Sequence, residues 1–179
     1  MTTSRRVWSI VPVAVMATLL AAQPAGAGFL ALFGAARHKV TRKKTFADAR
    51  LLEADGVPSR GPATTAAGVN QWRFVFDNQP TRGSRFKTAF LSARNGRLGN
   101  VRGFRSVFLE DRRIGRVPMS LAKAIRLLRG AGYTTAFQNV TLRYPLGPGF
   151  TEPLYIFGFD PADPFVGVGV RTGSIVVIE

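Results

Sequence analysis

Two stretches of this chain carry the same aromatic alternation, and that repetition limits the fold more than any other feature. Trp72, Phe74 and Phe76 stand two apart and are followed by Asp77; Tyr155, Phe157 and Phe159 stand two apart and are followed by Asp160. A period of two puts the three rings of each stretch on one side of a β-strand, so each strand needs a layer to bury them against. A second match follows: Ala89, Leu91, Ala93, Gly96 and Leu98 align with Val166, Val168, Val170, Gly173 and Ile175. Two unrelated amphipathic hairpins would share some of this alternation, but the pattern predicts one unit used twice.

The other elements arrange themselves around these strands. A helix is expected over residues 45–54, with Thr45 as its cap and Gly56 and Pro58 as its stop. Loops at 59–68 and through Pro80 and Gly83 separate strands near 71–77 and 86–93, and Asn95-Gly96 predicts a type I′ hairpin turn into a third strand. Val101 to Leu109 is β-like enough to continue that strand or add another. Leu121, Ala124, Ile125 and Leu128 make an apolar stripe, so a second helix is expected from Ser120 to Arg129, ended by Gly130 and Gly132. Strands near 137–144 and 154–159 and a hairpin pairing 165–170 with 174–178 across Thr172-Gly173 complete the chain. The expected class is α+β: two αβββ units, over 45–116 and 117–179, with helices packed on antiparallel sheet.

The second unit resembles a PepSY-like domain. The matching residues are Ala122 and Ala124 on the helix, Tyr155-Ile156-Phe157 on the strand, and Val168, Val170, Thr172, Gly173, Ile175 and Val177 in the hairpin. The family often carries an Asp before the turn, where this chain has Gly169, and the first unit matches more weakly, with Asn95-Gly96 in place of Thr-Gly. The resemblance implies an exported, non-catalytic module concerned with protease regulation or protein binding at the cell envelope. The tandem layout is also similar to the β-lactamase inhibitor protein architecture, whose usual disulfides a chain without cysteine cannot form.

Residues 1–27 read as a secretory signal: Arg5 and Arg6, an apolar run from Val7 to Ala22, then Ala25-Gly26-Ala27 before the expected cut. Residues 28–44 are then an apolar, later basic, connector. The alternative is an uncleaved anchor, since apolar character resumes over 28–36, although Pro24, Gly26 and Gly28 interrupt a continuous helix. Either way the export compartment, periplasmic or secreted, is left open.

Catalytic means are scarce. Zero cysteines exclude thiolate nucleophiles, cysteine-held metals and lipid attachment at a cysteine, and the single histidine, His38, sits in the basic connector as a solvated bystander. Asp160 and Asp163 lie among prolines as turn caps rather than cation ligands, and Glu110-Asp111 is followed by Arg112-Arg113. No cofactor, metal or catalytic residue is expected.

Charge is the better lead. The chain carries a formal +15, and +13 once the signal is gone; 13 of the remaining 23 basic residues fall between Arg82 and Arg129. The candidate anion- or partner-binding residues are Arg85, Lys87, Arg102, Arg105, Arg112, Arg113, Lys123, Arg126 and Arg129. Such a field attracts an acidic protein partner or, as the alternative, an anionic envelope polymer or lipid surface. Export makes nucleic acid an improbable partner. With Arg outnumbering Lys 20 to 5, compositional bias is an equally open source of the excess.

Overall fold

A computed structural model describes residues 28–78, 84–107, 111–160 and 163–178. The expected signal at 1–27, the loop through Pro80 and Gly83, and Glu110 lie outside the described residues.

The chain opens with helix α1 (Phe29–Thr41), followed by strands β1 (Arg50–Pro58), β2 (Val69–Asp77), β3 (Thr88–Arg94), β4 (Arg97–Leu98) and β5 (Arg102–Phe104). Helix α2 (Leu121–Gly130) leads to β6 (Asn139–Arg143), β7 (Leu154–Gly158), β8 (Phe165–Gly169) and β9 (Ile175–Ile178). All nine strands form one antiparallel sheet in the order β4-β3-β2-β1-β6-β7-β8-β9, with β5 sharing the outer edge of β3. β1 and β6 meet at the centre, Glu53 opposite Arg143 and Asp55 opposite Thr141. Read outward from that seam, each half presents its strands in chain order.

The six aromatic residues of the two alternations are all buried. α1 packs on Trp72, Phe74 and Tyr155 through Phe29, the first residue of an apolar stripe at helical spacing with Leu32, Phe33, Ala36 and Val40. The Phe29 ring lies 4.4 Å from that of Trp72 and meets Tyr155 edge-on at 5.8 Å, so it touches both halves of the sheet. α2 buries the four residues of its predicted stripe, and Ser120 caps it by accepting from the Lys123 N–H at 3.2 Å. The helix runs through Gly130, and the left-handed position past its end is Gly132, at φ +95°. The Tyr155 hydroxyl donates to the Met119 carbonyl at 2.9 Å; burial pushes its pKa well above the usual phenol range.

Two expectations are corrected. Residues 45–54 do not form a helix: one 3-10 turn at Lys44–Phe46 precedes strand β1. A register shift between Leu51 and Glu53 buries Leu51 and Leu52 together, and this bulge breaks the strand's alternation into something that looks helical. Gly56 is accordingly no helix stop. A Cβ there would lie 2.7 Å from the Trp72 ring, so the position is bare to admit that ring.

Residues 28–44 are not a connector either, because most of them form α1, with His38 exposed on it. The apolar character after Gly28 is that of a core helix. Each helix is therefore followed by four strands of the sheet path rather than three, and α1 is the helix that belongs to the first half. No helix among the described residues is long and apolar enough to cross a membrane.

Candidate binding groove on the uncovered sheet face

Because strands alternate, the sheet has a second face, and register defines it. With Ala54 and Phe74 paired towards the helices, their neighbours Glu53, Asp55, Arg73 and Val75 point the other way. Across the strands this second face carries Ser92 opposite Arg73, Arg94 opposite Gln71, Thr141 opposite Asp55, and Ile156 opposite Thr141. One groove of about 950 Å³ runs along it, lined by residues from eight of the nine strands, which makes it a single trough across the sheet.

The floor of the trough at the β1–β6 seam is ionic. Arg73 donates from Nε and Nη2 to Asp55 Oδ2 at 2.8 and 2.5 Å, and from Nη2 to Glu53 Oε1 at 3.1 Å. Asp55 Oδ1 accepts from the Thr141 hydroxyl at 3.0 Å, tying β1 to β6. Arg143 forks onto Asp111 with bonds of 2.9 and 2.8 Å, a bidentate geometry that fixes both groups. Glu53 is only 4 % exposed, and that burial, together with the neighbouring Asp55 carboxyl, pushes its pKa up to about 7 although Arg73 and Arg143 pull the other way. Hydrogen bonding to Asp111 raises the Arg143 pKa further above its ordinary value.

The two ends of the trough differ. Towards β3 and β4 stand Arg94 and Arg97, directly opposed across the hairpin and both exposed. Neither has an acid partner among the described residues. Asn95 at φ +50° and Gly96 at φ +77° make the tight turn that holds the pair together, as the Asn-Gly signal predicts. Towards β7 to β9 the lining is apolar, from Ile156, Phe165 and Ile178, and Gly167 adds no side chain. A second groove of about 710 Å³ adjoins the cationic end, where Phe104 meets Phe90 edge-on at 4.7 Å beside Arg102.

The nine basic residues singled out by sequence do not converge. Arg102 lies on the uncovered face, in the second groove. Arg105 is exposed just past β5; Arg85 lies over the Phe86 ring at 5.0 Å, and Lys87 is exposed beside it. Arg113 is committed to Asp77 at 2.6 Å. Arg112 is held by the Tyr144 hydroxyl and the Phe150 carbonyl and stacks on the Tyr144 ring at 5.1 Å. Lys123 and Arg126 are exposed on α2, the helix-covered side, whereas Arg129 donates to the Tyr133 and Thr135 carbonyls and closes the helix end.

The residues that do converge are Glu53, Asp55, Arg73, Arg94, Arg97, Asp111 and Arg143, none of them among the nine. Arg73 was readable, since it alternates with the aromatic face of β2. Glu53 and Asp55 were hidden by the helical reading of β1. Among the described residues no group of three or more His, Asp or Glu side chains is placed to hold a metal ion.

Glu152 organises the β8–β9 turn. It accepts from the Arg171 N–H at 2.5 Å, from the Thr172 N–H at 3.3 Å and from the Thr172 hydroxyl. Burial opposes its charge, but these hydrogen bonds prevail and hold its carboxyl below the usual range. A Cβ at position 169 would overlap the Glu152 carboxylate, and Gly173 takes φ +78°.

No family model matches the chain, and no curated protein matches its sequence. Among solved structures it is similar to a putative lipoprotein from Clostridium difficile 630, with a TM-score of 0.50 and 10% identity, over 85% of this chain and 91% of that one. At that identity the likeness is one of fold, an α+β protein of similar size.

Proposed function

We propose that the chain is an exported, non-catalytic binding module that docks an acidic segment of a partner protein in the trough of its uncovered sheet face. The observation that carries this reading is the Arg94–Arg97 pair. Like charges set directly opposite on adjacent strands cost stability, and these two have no acid partner among the described residues at the end of a groove whose other end is apolar. A carboxylate-bearing loop with a hydrophobic anchor answers both ends at once, the charges steering its approach and fixing its register.

Supporting the export half are the signal-like residues 1–27, a role for apolar residues 29–40 in the core rather than in a membrane, and the lipoprotein description of the structural neighbour. The PepSY-like reading rests on the Thr-Gly hairpin. Here the acid expected at position 169 has a substitute, since Glu152 brings a carboxylate over the bare Gly169. The mirrored strand order about the β1–β6 seam supports descent of the two halves from one repeated unit.

The test is a titration of the purified protein with an acidic peptide carrying aromatic residues, followed by backbone amide shifts. Shifts at β2 to β4 and β7 to β9, abolished by Ser92→Trp but not by Lys123→Glu with Arg126→Glu, are expected. Shifts confined to α2 would overturn the groove as the site. Equal binding of polyphosphate, lost between low and physiological salt, would favour an anionic polymer or lipid surface instead. A hydrolase activity removed by a single substitution in the groove would overturn the non-catalytic reading.

A further inference from the structure

The two edges of the sheet are finished differently. On one side β4 has two residues and β5 three, and they bring Arg97 and Arg102 to the boundary, the short charged edge by which proteins resist strand pairing. On the other side β9 reads Ile175-Val176-Val177-Ile178, with no charge, proline or register shift. In a chain this rich in arginine, an uncharged edge of four β-branched residues stands out.

Its free hydrogen-bonding groups can be placed. The Gly169 N–H donates to the Ser174 carbonyl at 2.9 Å, so the alternation of an antiparallel ladder makes Val176 with Gly167 and Ile178 with Phe165 the hydrogen-bonded pairs. The main-chain N–H and C=O of Ile175 and Val177 therefore point away from β8, and both lack a partner among the described residues. Val177 is also 49 % exposed on its side chain.

We infer that this edge pairs with the same edge of a second copy, β9 antiparallel to β9, so that two sheets join into one. Parity permits it: with Val176 on the two-fold axis, Ile175 faces Val177 of the partner subunit and the reverse, making about four main-chain hydrogen bonds. Charge selects a second copy here. The edge offers nothing to attract an ionic strand and matches itself in length, twist and lack of charge. Seven strand spacings separate β9 from β4, about 34 Å, several times the screening length of about 8 Å in physiological salt, so the arginine-laden end does not oppose the joint. Arg171 precedes the edge in sequence and Glu179 follows it, opposite charges that an antiparallel pairing sets end to end, so repulsion between like charges does not oppose the joint. The joint uses the main-chain edge of β9 and the groove the side chains of Phe165 and Ile178, so the two meet at this end of the sheet.

Sedimentation equilibrium of the purified protein at low and high salt tests this, with Val177→Pro as the main variant. That substitution removes an N–H pointing out of the molecule and leaves every hydrogen bond to β8 in place. The expected result is a wild-type dimer at both salt concentrations and a dissociation constant raised at least about tenfold in Val177→Pro, with the circular dichroism spectrum unchanged. Val177→Lys, which charges the edge without touching the main chain, gives the same weakening and serves alone if the proline variant unfolds. A wild type that stays monomeric at about 200 µM, weaker than a dimer of this kind allows, overturns the inference. So does a dimer that survives in both variants.

Discussion

The Phe29 ring packs at 4.4 Å against that of Trp72, placing a residue two positions beyond the expected signal cleavage point in the centre of the core. Because the same ring meets Tyr155 edge-on, α1 fastens the two halves of the sheet to each other. Phe29→Ala is expected to destabilise the fold by about 3 kcal/mol, the lower end of the range for truncating a buried phenylalanine. Urea unfolding measures it; a loss below about 0.5 kcal/mol, the scale of an ordinary surface substitution, would mean that α1 lies outside the cooperative unit.

Glu53 makes stability depend on pH with an unusual sign. Its folded pKa is raised from 4.5 to about 7, so the folded state holds this proton more tightly than the unfolded chain does. The contribution is fully present below about pH 4.5 and is lost as pH rises through about 7. Replacing the ionisable group by an amide removes that loss, so Glu53→Gln should gain on wild type by up to about 3 kcal/mol between pH 4.5 and 8, less whatever its bond to Arg73 supplies. Melting curves across that range check it, and parallel pH profiles for the two proteins would contradict it.

Glu152 behaves oppositely. Its folded pKa is lowered, so its contribution is present above the ordinary carboxylate range and disappears as pH falls through the folded value. Glu152→Gln should cost about 2 kcal/mol at neutral pH, as expected for charge-assisted hydrogen bonds left with a neutral acceptor, and the cost should vanish in acid. Gly169→Ala should loosen the same turn by steric overlap and remain destabilising at every pH. Denaturation at neutral pH and at steps down through the acid range separates the two.

How much of this was legible in the sequence depends on which strands keep strict alternation. β2, β7 and β8 do, so their inward residues, from Trp72 to Val168, could be named in advance. The stripe of α2 and the Asn95-Gly96 turn announced themselves equally well. β1 fails because its bulge buries Leu51 and Leu52 side by side, and with β1 went Glu53 and Asp55, the acids of the groove floor. α1 fails because its apolar stripe resumes only a few residues after a segment that reads as an export signal. The groove itself was beyond reach: Arg73 and Arg143 lie 70 residues apart in sequence and flank Glu53 together only because β1 pairs with β2 on one side and β6 on the other.

Arg94 and Arg97 distinguish a working surface from an accident of composition. If the arginine excess were only a bias, reversing one member of the pair would have no functional consequence, whereas its structural effect is fixed by geometry. The two stand directly opposite across β3 and β4, so Arg97→Glu turns a repulsive cross-strand pair into an attractive one and should stabilise the fold by a few tenths of a kcal/mol. In the same variant the trough loses two units of positive charge at the end where an acidic partner enters, so the association rate should fall several-fold at low salt and converge on wild type as salt rises. A higher melting temperature coupled to a slower, salt-sensitive association, read by calorimetry and stopped-flow on one variant, identifies the pair as retained for binding at the expense of stability. Unchanged association in a stabilised Arg97→Glu would assign the pair to composition alone.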